Sequence, residues 1–345
     1  MINTNFCKIK SIAVHSVGNK LNQDSIRLSK QCLSINDELK ELLTNYFLSP
    51  FKSNEYFNFY HETDLKYNEV YNYVSKIFDN PETLLEQSVN LAKHLYEQST
   101  HPKIKGGEFY TVYFKDCIID GKTVDAVGLF KSENKDTFLK VFPKGEGFEI
   151  ESEKGININK LDKGCLIFNT ERENGYVVAV VDNTNKGIEA QYWTDDFLHI
   201  RQRKDEYYNT QNIMSLCKHF VKDELPQQFE ISKADQVDLL NKSVKFFKEK
   251  DNFNIEEFAN AVIGQPDIIE KFNQYKSEYA KEYDMEFVDN FTISESAVKK
   301  QARVFKSVIK LDKNFHIYIH GDRNLIEQGE DTKGKFYKVY YKEEN

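Results

Sequence analysis

Asp125, Glu133 and Lys135 have the residue types that metal-assisted phosphodiester cleavage requires. In that chemistry two carboxylates share a divalent ion and a lysine stands near the attacked phosphate. The local composition argues against it, because "SENKD" (132–136) reads as a turn and should put Glu133 and Lys135 in solvent. His316 and His320, close to Asp322, have the i, i+4 spacing of helical metal ligands. "FHIYIH" alternates apolar and polar residues, however, which is the period of a strand. On a strand the two imidazoles share a face but stand about 13 Å apart, too far for one ion. "PKGEGFEI" and "DTKGKFY" match neither phosphate-loop pattern and read as hairpin turns. No serine or cysteine has an elbow or a paired histidine. The sequence thus offers no catalytic residue, metal site or cofactor site, and the expectation is a protein that is not an enzyme.

Two groups of cations remain. "FLHIRQRKDEYYNT" (197–210) holds Arg201, Arg203 and Lys204, and Lys218 and Lys222 extend them along the polar face of the next helix. With Tyr207 and Tyr208 nearby, this composition suits phosphate contacts plus aromatic packing. The second group, in "SAVKKQARVFKSVIK" (296–310), comprises Lys299, Lys300, Arg303, Lys306 and Lys310 with no acidic residue among them. Charge runs are more often solvated faces. Asp195, Asp196, Asp205 and Glu206 flank the first group and could neutralise it in local pairs.

The chain around these residues is acidic, with a formal charge of −8 over 345 residues. Proteins that coat nucleic acid are usually basic, since counterion release drives their binding. A nucleic-acid surface here must therefore be a local patch on an acidic body. Hydrophobic residues make up 40% of the chain, with 26 Phe and 20 Tyr, enough for a sizeable core. No apolar run approaches the roughly 20 residues of a membrane span, and the start lacks a signal-peptide pattern. Five scattered cysteines without a C-x-x-C pair argue for idle thiols in a reducing cytosol.

The elements that must position these side chains follow from periodicity. "IKSIAV" (9–14) and "SIRLSK" (25–30) read as strands. Asn36, Thr63 and "NPE" (80–82) open three helices. Their apolar stripes run Leu39–Leu42–Leu43–Tyr46–Phe47, Tyr67–Val70–Tyr71–Val74–Phe78 and Leu84–Leu85–Val89–Ala92–Leu95–Tyr96. Five strand-like runs follow between 108 and 181, too close together for crossover helices, so they should form an antiparallel meander. Helices then start at Thr210 (ended by Pro226), Ser232 and Pro266, and strands at 305–311, 315–320 and 335–341 close the chain as a small sheet. The expectation is an α+β protein. Residues 1–228 should form an N-terminal domain with a mixed or antiparallel sheet and helices. Residues 229–345 should form a helical domain with a small antiparallel sheet.

This order of elements resembles the NdpA-type (YejK-type) family of bacterial nucleoid-associated proteins over nearly the whole chain. The resemblance rests on "IKSIAVHSVGN", "GGEFYTVYF", "QYWTDDFLHIRQRKDEYYNTQNIMSLCKHFV" and "VIKLDKNFHIYIHGD". It implies a cytoplasmic protein of the nucleoid, engaged in chromosome organisation, with no established catalysis and no catalytic residues to carry over. The implied partner is double-stranded DNA, with room for protein partners in the nucleoid and for a homo-oligomer, and with no membrane. The acidic pI of about 5.6 departs from a strongly basic compacting protein and makes recruitment through a protein partner the competing reading.

Overall fold

The computed structural model describes residues 2–343 apart from 5, 185–191, 306–307 and 320–322. Contacts group the chain into two compact units, 1–203 and 204–345.

In the first unit, β1 (Ile2–Asn3), β2 (Lys8–Val17) and β3 (Ile26–Arg27) precede α1 (Asp37–Leu48). After β4 (Phe57–Phe59) come α2 (Glu69–Asp79) and α3 (Leu84–Gln98). The strands β5 (Gly107–Ile119), β6 (Lys122–Ser132), β7 (Asp136–Lys144), β8 (Gly147–Gly155), β9 (Lys163–Phe168), β10 (Val177–Asp182) and β11 (Ile200–Gln202) follow. Nine strands form one antiparallel sheet in the order β11-β4-β10-β9-β6-β5-β2-β3, with β1 also on β5. β7 and β8 leave this sheet and, among the described residues, pair only with each other, so the expected meander is interrupted and β6 pairs directly with β9.

The central strands read as near-continuous apolar runs because both faces of the sheet are covered. Val127 and Leu129 of β6, Cys165 and Ile167 of β9 and Val178 of β10 face one core with α2 and α3. Ala126, Phe130, Leu166, Phe168, Val177 and Ala179 face a second core with the end of α1. There Phe47 stacks on Phe130 at 4.3 Å and 12°, a geometry that stabilises by about 0.5–1.5 kcal/mol beyond burial. His15 of β2 is buried against α3. Its Nδ1 accepts from the Ser29 amide at 3.0 Å, so the proton sits on Nε2, which donates to Ser88 Oγ at 2.8 Å.

Caps explain the helix starts. Asn36 caps α1 through its side-chain oxygen on the Leu39 amide, but α1 buries only its last turn, and Leu39 and Leu42 are exposed. The second helix starts later than expected. Asp64 rather than Thr63 opens a 3₁₀ turn (Leu65–Tyr67), Asn68 caps α2, and Tyr67 is exposed. Pro81 opens a 3₁₀ turn ahead of α3, where its missing N–H costs nothing. "SIRLSK" forms only a two-residue strand.

In the second unit, α4 (Glu206–His219) starts before Thr210, because Asp205 accepts from the Tyr208 amide at 3.1 Å. Thr210 lies buried inside the helix, donating to Glu206 O at 2.7 Å and accepting from the Ser294 amide at 3.0 Å. Pro226 does not end the helical path. A π-helical turn (Phe220–Glu224) leads into α5 (Leu225–Gln228), where Pro226 stands in the first turn. Then come α6 (Lys233–Glu249), β12 (Asn252–Asn254), α7 (Ile255–Phe258), α8 (Pro266–Glu282), β13 (Asn290–Thr292) and α9 (Glu295–Ala302). Ser232 caps α6, accepting from the Asp235 amide at 3.1 Å. The expected C-terminal sheet takes the form of two separate antiparallel hairpins. These are β14 (Val308–Leu311) with β15 (Phe315–Tyr318), and β16 (Ile326–Asp331) with β17 (Gly334–Val339).

An aromatic core of Phe246, Phe247, Phe253, Phe258 and Phe272 holds the helices. Ala234 and Val237 of α6 turn to a smaller cluster with Ile309, Ile319 and Ile326. That second contact seats the β14–β15 hairpin against α6.

Candidate nucleic-acid interface

Arg201 stands on β11, which pairs antiparallel with β4 in the register Arg201↔Asn58. Its guanidinium carbon lies 3.2 Å from the centre of the Tyr60 ring, a stacked cation–π contact. His199 lies parallel to Tyr60 at 5.5 Å and 6°. One buried side chain ties these segments together. The Asn68 oxygen caps α2, while its amide nitrogen reaches the carbonyls of Tyr60 (3.1 Å), Leu198 (3.1 Å) and His199 (3.0 Å). Gly175 supports β4 from the other side. It sits at φ +89 with its carbonyl on the Phe59 amide, and a Cβ there would lie 2.3 Å from Phe59 O.

Among the flanking acids, Asp205 caps α4 and Asp195 accepts from Thr194 Oγ1 at 2.8 Å. Burial, and then Asp195, push the Asp196 carboxyl up. The cations meet other acids. Arg203 pairs with Glu171 at 3.1 Å, and Lys204 approaches Glu286 at 3.9 Å. Tyr207 is buried, and the Lys300 ammonium stands 5.7 Å over its ring. The aromatic partner of Arg201 is Tyr60, which sequence proximity could not reveal.

Within the second unit, residues from the two basic runs meet. Lys222 and Lys310 line one cavity of about 670 Å³ together with Lys233, His316, Tyr318 and Asp223. Burial, and then Lys218, lower the Lys222 ammonium from its usual range, against the opposing pull of Asp223. A second groove of about 630 Å³ holds Arg303, Lys245 and Lys248 beside Glu249. Both are lined by Val308 and Tyr318, and Tyr318 is 65% exposed. Lys299 is drawn to Glu295 at 3.3 Å. Lys306 lies outside the described residues, as do His320 and Asp322.

The residues of the nuclease reading stand apart. Asp125 accepts from Tyr113 Oη and Lys115 Nζ, each at 2.7 Å. The Glu133 side chain, against expectation, is 5% exposed rather than solvated. It pairs with the fully buried Lys131 at 3.0 Å and accepts from Tyr192 Oη at 2.7 Å. Asp125 and Glu133 are eight residues apart along an extended stretch, about 26 Å, which no single ion spans. Lys135 is taken by Glu108. Among the described residues no three His, Cys, Asp or Glu side chains converge to hold a metal.

The fold is thus an α+β chain with cationic grooves beside a seated hairpin. The chain belongs to the family of nucleoid-associated protein YejK, whose model matches residues 13–334. The comparison with curated proteins finds no match. Family membership supports a nucleoid-associated role. No helix among the described residues is long and apolar enough to cross a membrane.

Proposed function

We propose that the chain binds double-stranded DNA directly, as a non-enzymatic protein of the cytoplasmic nucleoid, through basic patches on an acidic body. The proposed phosphate contacts are Arg201, Arg203, Lys204, Lys218, Lys222, Lys299, Lys300, Arg303 and Lys306. Lys233 and Lys310 join them from the cavity wall. The observation that supports this most is the pair of cationic grooves lined in common by Val308 and Tyr318. In each groove the cations outnumber the carboxylates, three lysines to Asp223 in the first and Arg303, Lys245 and Lys248 to Glu249 in the second, and an exposed tyrosine adds a packing surface for bound phosphate. The test is duplex binding by purified protein across a salt titration, with and without Mg²⁺, with the DNA then checked for cleavage. If about five of these cations engage phosphate at one time, the log–log slope is about −4 to −5. Intact DNA and that slope support the reading. No affinity at low salt replaces it with recruitment by a protein partner, and Mg²⁺-dependent cleavage replaces it with a nuclease.

A further inference from the structure

The β7–β8 hairpin is nine residues on each side and pairs with no other strand among the described residues. Its turn is tight. Lys144 pairs with Gly147, and Gly145 sits at φ +59, where a type II′ turn places glycine. The register sorts its side chains onto two different faces. On one, Phe138, Lys140 and Phe142 lie opposite Glu153, Glu151 and Glu149, and Lys140 and Lys144 pair with Glu153 and Glu149. On the other, Leu139, Val141 and Pro143 lie opposite Ser152, Ile150 and Phe148. That second face is bare. Leu139 is 71% exposed, Val141 61%, Phe148 75% and Ile150 66%.

A two-stranded ribbon is at best marginally stable in water unless another layer covers its apolar face. We infer that this face is a self-association surface, covered by the same hairpin of a second copy of the chain. Three observations choose that occupant. The bare side chains together expose on the order of 500–600 Å² per copy, at the upper end of patches found on monomers. Two such faces bury about 1,100 Å², close to the lower limit of a specific interface. Charge disfavours DNA, because Lys140, Lys144 and Lys154 are outnumbered by Asp136, Glu146, Glu149, Glu151 and Glu153. Charge also disfavours two-fold pairing along the edges, which would align β8 glutamates with β8 glutamates. Face-to-face packing avoids this, since most of these charges, including the paired lysines and glutamates, lie on the opposite face. A two-fold axis then makes one apolar patch serve both copies.

Sedimentation velocity of the full chain between 1 and 100 µM tests this. The expected result is a concentration-dependent dimer that Leu139→Glu/Ile150→Glu converts to monomer, while Lys140→Glu on the other face leaves it dimeric. A wild-type chain that stays monomeric at 100 µM overturns the inference. So does a dimer indifferent to the double substitution. If that variant is misfolded by circular dichroism, Phe148→Ser replaces it. Its exposed site tolerates the change, and it should weaken the dimer at least tenfold.

Discussion

Replacing Lys222 and Lys310 with glutamine removes two cations from the wall of one cavity while keeping a polar side chain at each position. Each cation engaged with phosphate contributes about 0.9 to the log–log salt slope. A wild-type chain with five contacts should lose about 500-fold in affinity between 50 and 200 mM salt, and the double variant only about 40-fold. Arg203→Gln should do less. That guanidinium is already paired with Glu171 at 3.1 Å, and the half-exposed pair must be exchanged before phosphate can bind. The assay is fluorescence anisotropy of a labelled duplex of 25 base pairs at four salt concentrations. A double variant with the wild-type slope refutes the cavity as a phosphate site. A wild-type slope near zero refutes phosphate-driven binding altogether.

Other expectations are independent of DNA. Burial lowers the His15 pKa below 6.5, so the unfolded chain binds the proton first and stability falls as pH drops below about 6.5. Urea midpoints at pH 7.5 and 5.5 should therefore differ more in the wild type than in His15→Gln. Lys131→Met leaves Glu133 buried without its ion partner and should cost about 3–5 kcal/mol by chemical denaturation. Most of that loss should return in Lys131→Met/Glu133→Leu, and a single-variant loss below about 1 kcal/mol contradicts the buried pairing. The domain boundary proposed at 228/229 makes its own prediction, against a cut at 203/204 that keeps Ile213, Leu216 and Phe220 with Leu240 and Phe272. Fragment 1–228 carries those apolar side chains without their partners, so proteolytic resistance and solubility of fragments 1–203 and 1–228 separate the two boundaries.

Long apolar runs made the central strands legible. Cys165–Phe168 and Val177–Ala179 are buried on both faces, so their composition alone marks them as strands. β4 and β11 were not legible, because three residues at a sheet edge carry too little pattern to stand out from a loop or helix lead-in. The cations of 201–222 and 296–310 were visible as charge. Their partners were not, since Tyr60 and Glu171 reach them only through sheet pairing and loop packing. Lys233, Lys245 and Lys248 resemble an ordinary solvated helix face until β14–β15 docks beside α6. Glu133 was misread for a similar reason. Its burial depends on Lys131, and on Tyr192, which is remote in the chain.

The place of β4 in the sheet has a consequence for synthesis. Phe57 pairs with Val178, and Phe59 with Ile200, so a strand made early waits for partners made much later. At roughly 5–20 residues per second, that wait is on the order of ten seconds on the ribosome. During it, β2, β5, β6 and β9 can already cover α2 and α3, while the places of β10 and β11 in the sheet stay empty. A nascent chain halted before residue 178 would therefore expose the side of the first core that Val178, Trp193, Phe197 and Ile200 complete, and a chaperone that holds such faces should engage this protein most strongly at those lengths.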